Sequence, residues 1–425
     1  MKKPVITAML VACGSLQMHS LASAAPILSI QSSDPGGYIQ TLLNDGTIVT
    51  EIDQYPPCQT PPMYQPNPGS NGGPPPPACI PSAISRRLMV LSASASSTTQ
   101  GVPLAYEFLN KSYLVNNLGQ IVAWPQFNST IADFVKLTTQ GSAAQTFVTS
   151  SFRDASPAGC GINDRAYGWV ALSNGGQLVG QVFKASCTGS FVLWNGDQLK
   201  VTGALPSGYS APSFAGVNAT GQLAISASQG PQTTGTSANT RALLWNGSNY
   251  SILPLPFLSL LYGYTSSEAV GINDQGDVVG NLIKRDGSRH AVIWHAGKAT
   301  DLGTLPGYKS SKAGGLNSKG QVLACAYDVA DTAGDPVYGH TASSAALATS
   351  PKSFAWINGM RTPISLTALG LSTSSSPNPD WAPEGYCDGW FHDGSPAGHV
   401  SANQNGQWLM YDYIGIGFSV LTPVK

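Results

Sequence analysis

One phrase recurs along this chain and limits what the chain can fold into. Ala269-Val270-Gly271-Ile272-Asn273-Asp274-Gln275-Gly276-Asp277-Val278-Val279-Gly280 reappears from Ala215 to Leu223 and again from Gly314 to Leu323. Repetition on this scale means that one supersecondary unit is used many times. Aligning on the turn glycine gives Gly46, Gly119, Gly176, Gly221, Gly276, Gly320 and Gly406. Five of these carry Asn three residues earlier, at Asn116, Asn218, Asn273, Asn317 and Asn403. The turns at Asn44-Asp45-Gly46 and Ser173-Asn174-Gly175-Gly176 are degenerate copies. Asn and Asp tolerate left-handed backbone angles and Gly supplies positive φ, so N-x-x-G between apolar runs reads as a hairpin turn. On this reading Asp274 is a turn former rather than a ligand.

A second hairpin follows each well-formed copy. Phe191-Val192-Leu193-Trp194, Ala242-Leu243-Leu244-Trp245, Ala291-Val292-Ile293-Trp294 and Phe354-Ala355-Trp356 each lead into a turn containing Gly. A short strand and a Gly/Pro connection come next, as in Leu302-Gly303-Thr304-Leu305-Pro306-Gly307-Tyr308. One unit is therefore four strands. Gly176 and Gly221 lie 45 residues apart and Gly276 and Gly320 lie 44 apart, the span of a four-stranded propeller blade. The fold class expected is all-β, a β-propeller of seven four-stranded blades, with six or eight as alternatives. The last hairpin is followed only by Phe418-Ser419-Val420-Leu421, so Ile27-Leu28-Ser29-Ile30 from the N-terminus is expected to complete that blade and close the ring.

Composition narrows the functional classes. Lys+Arg 21 balance Asp+Glu 22, without the basic excess of a nucleic-acid binder. Lys2 and Lys3 precede an apolar core from Val5 to Leu16, and Ala22-Ser23-Ala24 forms a small-residue cleavage site. Residues 1–24 thus read as a signal peptide, and 25–425 as one exported propeller domain, periplasmic or extracellular. The alternative is lipid anchoring through Cys13, since Leu10-Val11-Ala12-Cys13 has the form of a lipoprotein box. No later apolar run is long enough for a transmembrane helix. Cys58, Cys79, Cys160, Cys187, Cys325 and Cys387 remain, an even number suited to disulfides in an oxidising compartment. Cys58 with Cys79, Cys160 with Cys187 and Cys325 with Cys387 is the pairing expected.

The wording of the repeats resembles the HAF-repeat extracellular proteins of bacteria. Gly271 to Gly280 matches their first phrase, Arg289-His290-Ala291-Val292-Ile293-Trp294 the second with Val for Phe, and Asp301-Leu302-Gly303-Thr304-Leu305-Pro306-Gly307 the third with Pro for Gly. The resemblance is strong from about Ser213 to Leu369 and weak before Gly168. It implies export and a propeller-like β fold, and no defined reaction.

Propeller scaffolds carry function in loops, so the insertions are the places to look. They lie at about 55–82, 329–350 and 372–398. The first is proline-rich and reads as a spacer stapled by its two cysteines. The third contains Trp381, Glu384, Tyr386, Asp388, Trp390, His392 and Asp393. Aromatics beside carboxylates can stack on sugar rings and accept hydrogen bonds from hydroxyls, which makes these seven the candidate ligand-binding residues. Their alternative role is to fill a small core within the loop. No metal-binding spacing is present, and no cofactor or metal is expected. His290 and His295 fall within a repeat and read as surface or core residues.

Catalytic signatures are lacking: there is no G-x-S-x-G elbow, no P-loop and no G-x-G-x-x-G after a strand. The sequence therefore favours a monomeric binding protein, for a surface glycan or a protein partner, over an enzyme. The rival reading is a secreted hydrolase or lyase acting on polysaccharide through Glu384 with Asp388 or Asp393. A purely structural envelope protein is the third.

Overall fold

A computed structural model describes residues 27–33, 38–54, 85–91, 102–107, 111–125, 133–138, 145–148, 167–182, 191–195, 199–230, 239–327, 352–364, 400–411 and 418–424. The chain is all-β in a propeller arrangement, and the described strands make seven four-stranded antiparallel sheets. Sheets 1 to 6, in chain order, open with Tyr38–Leu42, Lys111–Val115, Tyr167–Leu172, Tyr209–Val217, Tyr264–Ile272 and Ser310–Leu316. Sheet 5 continues with Val278–Lys284, Arg289–His295 and Lys298–Gly303, and its strands lie side by side in that order. Sheet 7 starts with Val400–Ala402, Trp408–Tyr411 and Phe418–Val424. Its fourth strand is N-terminal: Ile27–Ser33 pairs antiparallel with Phe418–Val424, from Ile27 opposite Val424 to Ser33 opposite Phe418.

Among the described residues sheets 1, 4 and 5 are covered on both faces, which explains the continuous apolar runs of their second strands. Side chains alternate between faces along a strand. Val278 packs toward sheet 4 with Ala224, Ala242 and Leu253, while Val279 packs toward sheet 6 with Val322, Ala324 and Phe354. Similar layers join sheet 3 to sheet 4 through Phe191, Phe214, Ile225 and Trp245, and sheet 1 to sheet 2 through Leu88 and Ile121. Leu42 and Ile48 of sheet 1 meet Leu409 and Val420 of sheet 7, which joins the two ends of the chain.

The first strands are innermost, where neighbouring sheets come closest. Five of them carry a register shift just before the turn, for example between Ala269 and Gly271 and between Phe214 and Gly216. Such bulges add twist and bend the strand. Gly216 sits at this bend because a Cβ there would meet the backbone nitrogen and Cγ2 of Ile272 at 3.2 Å.

The N-x-x-G turns do more than reverse the chain. Asn273 Oδ1 accepts from the N–H groups of Gln275 and Asp277 at 3.1 and 2.8 Å, and Asn116, Asn218, Asn317 and Asn403 repeat the pattern. The amide then reaches the next sheet. Nδ2 of Asn116, Asn273, Asn317 and Asn403 donates to the carbonyls of Ser173, Asn317, Gly406 and Leu43 at 2.8, 3.1, 2.8 and 2.9 Å. All seven turn glycines have φ between +71° and +86°. Several also lie beneath a side chain of the preceding sheet: Gln120 over Gly176, Gln177 over Gly221 and Gln222 over Gly276.

The degenerate turn of sheet 3 shows what the Asn supplies. Elsewhere Asn Nδ2 also donates to the side-chain oxygen four residues on, as Asn116 does to Gln120 at 2.7 Å. Ser173 has no amide, and the buried Gln177 Oε1 is left without a hydrogen-bond partner. Ser173→Asn is therefore expected to stabilise the protein by about 1 kcal/mol, the net worth of one recovered hydrogen bond. Conversely, Asn317 is fully buried, and Asn317→Ala strands several buried donors and acceptors at once. A loss of about 2–4 kcal/mol is expected in equilibrium urea unfolding. A change below about 0.5 kcal/mol would contradict the strut role, since that is the range of ordinary surface substitutions.

Candidate functional site

The two ends of the stack of sheets differ in chemistry. At one end the second residues of the seven turns, Asn44, Asn117, Asn174, Ala219, Asp274, Ser318 and Gln404, converge on the axis. Asp274 is the centre of this hub. Its Oδ1 accepts from Ala219 N at 2.7 Å, and its Oδ2 accepts from Asn174 Nδ2 at 3.0 Å and Gln404 Nε2 at 2.6 Å. One carboxylate thus ties sheet 5 to sheets 3, 4 and 7. Asn44 and Gln404 exchange two hydrogen bonds between sheets 1 and 7, as do Asn117 and Asn174 between sheets 2 and 3. Ser318 Oγ donates to Gln404 O at 2.6 Å. Asp274, expected only to shape its own turn, is a cross-axis clasp whose acceptor capacity is used on the protein itself.

The opposite end holds a different cluster, at the margin of sheet 5. Tyr264 opens the first strand, His290 lies near the start of the third, and Asp301 lies near the end of the fourth. Antiparallel order brings these three positions to the same end. Tyr264 Oη donates to Asp301 Oδ2 at 2.5 Å and lies 2.7 Å from His290 Nδ1. His290 Nδ1 is 3.1 Å from both Asp301 oxygens. With the ring neutral, a proton on Nδ1 binds the imidazole to this pair and leaves Nε2 as an acceptor; with the ring charged, both nitrogens donate. Gly303 N adds a bond to Asp301 Oδ1 at 2.7 Å, and Lys284 Nζ lies 5.4 Å from the centre of the Tyr264 ring.

The environment sets the charges. Burial, and then the hydrogen bond and charge of Asp301, push the Tyr264 phenol far above its ordinary value, so it stays a neutral donor. Burial works against a charge on Asp301, but hydrogen bonds from His290 and Tyr264, the imidazole charge and Gly303 N–H outweigh it. The net effect holds Asp301 below the usual carboxylate value. Chemically, the cluster is a fixed donor–acceptor set with one imidazole nitrogen available.

The seven loop residues Trp381, Glu384, Tyr386, Asp388, Trp390, His392 and Asp393 lie outside the described residues. So do the insertions at 55–82, 329–350 and 372–398, the leader at 1–24 and every cysteine except Cys325. Cys325 is buried in the second strand of sheet 6 and is disulfide-bonded. The strand ends that flank the insertions are described. The first lies between Ile48–Gln54 and Ser85–Leu91, the second between Val322–Tyr327 and Lys352–Ile357, and the third between Met360–Pro363 and Val400–Ala402. Second-to-third and fourth-to-first connections both leave from the end opposite the N-x-x-G turns. All three insertions therefore depart from the end that carries Tyr264, His290 and Asp301.

Sequence reasoning missed the Tyr264 cluster. The signal was the pairing of His290 with Asp301 inside one repeat, two titratable side chains on neighbouring strand phrases. His295, at the hub end, contacts Asp277 at 2.5 Å; Asp277 stands where five other turns carry Gln. Among the described residues no group of three or more His, Cys, Asp or Glu is arranged to hold a metal ion.

No protein-family model matches the sequence, and no curated protein matches it either. Solved structures of similar fold include oligogalacturonate lyase from Vibrio parahaemolyticus, at 11% identity over 92% of this chain and 91% of that one, with a TM-score of 0.46. The β-propeller domain of the Trilobed protease from Pyrococcus furiosus is 12% identical over 80% of this chain and 95% of that domain, with a TM-score of 0.38. A prolyl endopeptidase shares 9% identity over 79% of this chain and 42% of its own, with a TM-score of 0.42. These are likenesses of propeller architecture.

Tyr264→Phe removes the hydroxyl that bridges His290 and Asp301. The lowered pKa of Asp301 contributes stability that is present above the ordinary carboxylate value and lost as pH falls through the lower folded value. The variant is expected to give up part of that contribution and to unfold at a higher pH in an acid titration followed by circular dichroism. An unchanged acid transition would show that the hydroxyl does not support the carboxylate.

Proposed function

We propose that the seven sheets are the blades of one closed, exported ring that binds a surface glycan or a protein partner at the end opposite the hub. The observation that carries this reading is the separation of the two ends. At one end the polar side chains at the axis bond to one another across the sheets. The other end supplies the strand ends of all three insertions and the Tyr264, His290 and Asp301 cluster. Loops on a rigid scaffold are the usual seat of recognition. Export rests on the leader read from residues 1–24 and on the resemblance to HAF-repeat proteins.

On this reading Trp381 and Trp390 supply stacking surface, and Glu384, Asp388 and Asp393 accept hydrogen bonds from ligand hydroxyls. Trp381→Ala and Trp390→Ala are expected to weaken binding at least about tenfold each, in line with loss of an aromatic anchor. The measurement is titration calorimetry of the full chain against bacterial surface polysaccharides and envelope proteins. Binding that ignores both tryptophans and all three carboxylates would leave a structural role for the envelope instead.

A second reading draws on the His290–Asp301 pair, because an imidazole oriented by a carboxylate can take a proton from a substrate. In that reading the protein is a polysaccharide hydrolase or lyase using carboxylates of the 372–398 loop. Release of new reducing or unsaturated ends, abolished by Glu384→Gln or Asp388→Asn, would establish it. Absence of turnover on every polysaccharide that binds would dismiss it.

A further inference from the structure

The connection from sheet 4 to sheet 5 departs from the repeat. The equivalent stretches before Tyr209 and Ser310 are short Gly/Pro turns, whereas here Leu253-Pro254-Leu255-Pro256-Phe257-Leu258-Ser259-Leu260-Leu261-Tyr262 intervenes. It contains no charged residue. Its last four residues form a single helical turn, α1 (Ser259–Tyr262), ended by Gly263 at φ 76°. Phe257 is 99% exposed, Leu261 77%, Tyr262 54% and Leu258 44%. They are four of the six large apolar side chains that stand exposed among the described residues.

This knob is fixed in place. Ser259 N donates to Pro256 O at 2.8 Å, Tyr262 N to Leu258 O at 3.1 Å, and Arg285 N to Gly263 O at 3.0 Å. The two prolines remove further backbone freedom. The Tyr262 ring lies 6.4 Å from that of Tyr264, over which Lys284 Nζ sits. Arg285 is exposed at the base of the same turn. An apolar tip, a tyrosine at its shoulder and two cations at its foot, with the exposed carboxylate of Asp286 beside them, are thus held together at the end away from the hub.

We propose that this knob docks the protein onto a lipid bilayer with anionic headgroups, Phe257, Leu258 and Leu261 entering the acyl boundary while Tyr262, Lys284 and Arg285 stay at headgroup level. Apolar side chains beside basic ones form the pattern of interfacial membrane attachment, and tyrosine favours the interface. A protein partner needs far more than this patch, since stable interfaces bury about 800 Å² and roughly 20–30 residues on each side. A bilayer needs only a few inserted side chains, and a preorganised turn loses little entropy on entering it. The attachment is peripheral: no described helix is long and apolar enough to cross a membrane.

Co-sedimentation of the full chain with phosphatidylethanolamine vesicles, with and without phosphatidylglycerol, tests this. Binding is expected to require phosphatidylglycerol and to weaken as salt is raised. Phe257→Glu and Leu261→Glu should each reduce it about tenfold or more, and Arg285→Gln about fivefold. All three positions are exposed, so an unchanged melting temperature should accompany each loss. No sedimentation of the wild-type chain with either vesicle would overturn the proposal. So would binding that Phe257→Glu leaves intact, or a concentration-dependent dimer, abolished by Phe257→Glu, in a chain that ignores vesicles.

Discussion

The structure depends on a carboxamide that serves two masters. A turn asparagine caps its own backbone through Oδ1 and spans to the next sheet through Nδ2. Neither Asp nor Ser can do both, because Asp lacks the donor and Ser lacks the reach. The consequence is that the turn and the junction between sheets form together. A sheet whose turn is wrong cannot seat its neighbour. Where the Asn link is absent, other contacts fill the gap. Gly175 lets the carbonyl of Ala219 approach to where a Cβ would lie 2.1 Å away, and Asn117 Nδ2 donates to Leu42 O at 2.6 Å.

Fixing the turns fixes what lies next to them. The second residue of each turn is delivered to the axis by the backbone, and its identity decides what fills the axis there. At the seven turns these residues are Asn44, Asn117, Asn174, Ala219, Asp274, Ser318 and Gln404, and all but Ala219, which bonds through its backbone N–H, carry hydrogen-bonding side chains. Together they satisfy one another across sheets that are distant in sequence. Asp274 meets Asn174 and Gln404 at separations of 100 and 130 residues. A lone carboxylate surrounded by N–H donors is well placed to hold such a centre together, since hydrogen bonds to a charged acceptor are about twice as strong as neutral ones.

Much of the architecture was legible from residue order. Positive φ at Gly276 and its counterparts, the four-strand unit and the pairing of Ile27–Ser33 with the C-terminal strand all follow from local pattern and from counting strands. The hub was not legible. Nothing in Asn273-Asp274 separates a residue that shapes its own turn from one that reaches across an axis, because the distinction arises only when the sheets are arranged around it. The Tyr264, His290 and Asp301 cluster was hidden for a related reason. Its members stand 26, 37 and 11 residues apart in one repeat and meet only because alternate strands run in opposite directions. The exposed Phe257 to Tyr262 turn was visible as an irregularity in the repeat, yet apolar runs in a β-rich chain ordinarily mean core, and only the burial pattern reverses that sense.

The contrast between the ends also explains where the chain tolerates growth. A turn at the hub cannot lengthen without pulling its Asn away from the next sheet's carbonyl and its following residue away from the axis. Connections at the other end carry no such obligation, and added residues there cost little more than loop-closure entropy, which rises slowly with length. That asymmetry follows from hydrogen-bond geometry before any function is considered. It places the strand ends that flank the three insertions, and the apolar knob, on one side of the molecule. Recognition, where it exists, therefore has one side from which to develop, and the hydrogen-bonded junctions between sheets do not depend on what is added there.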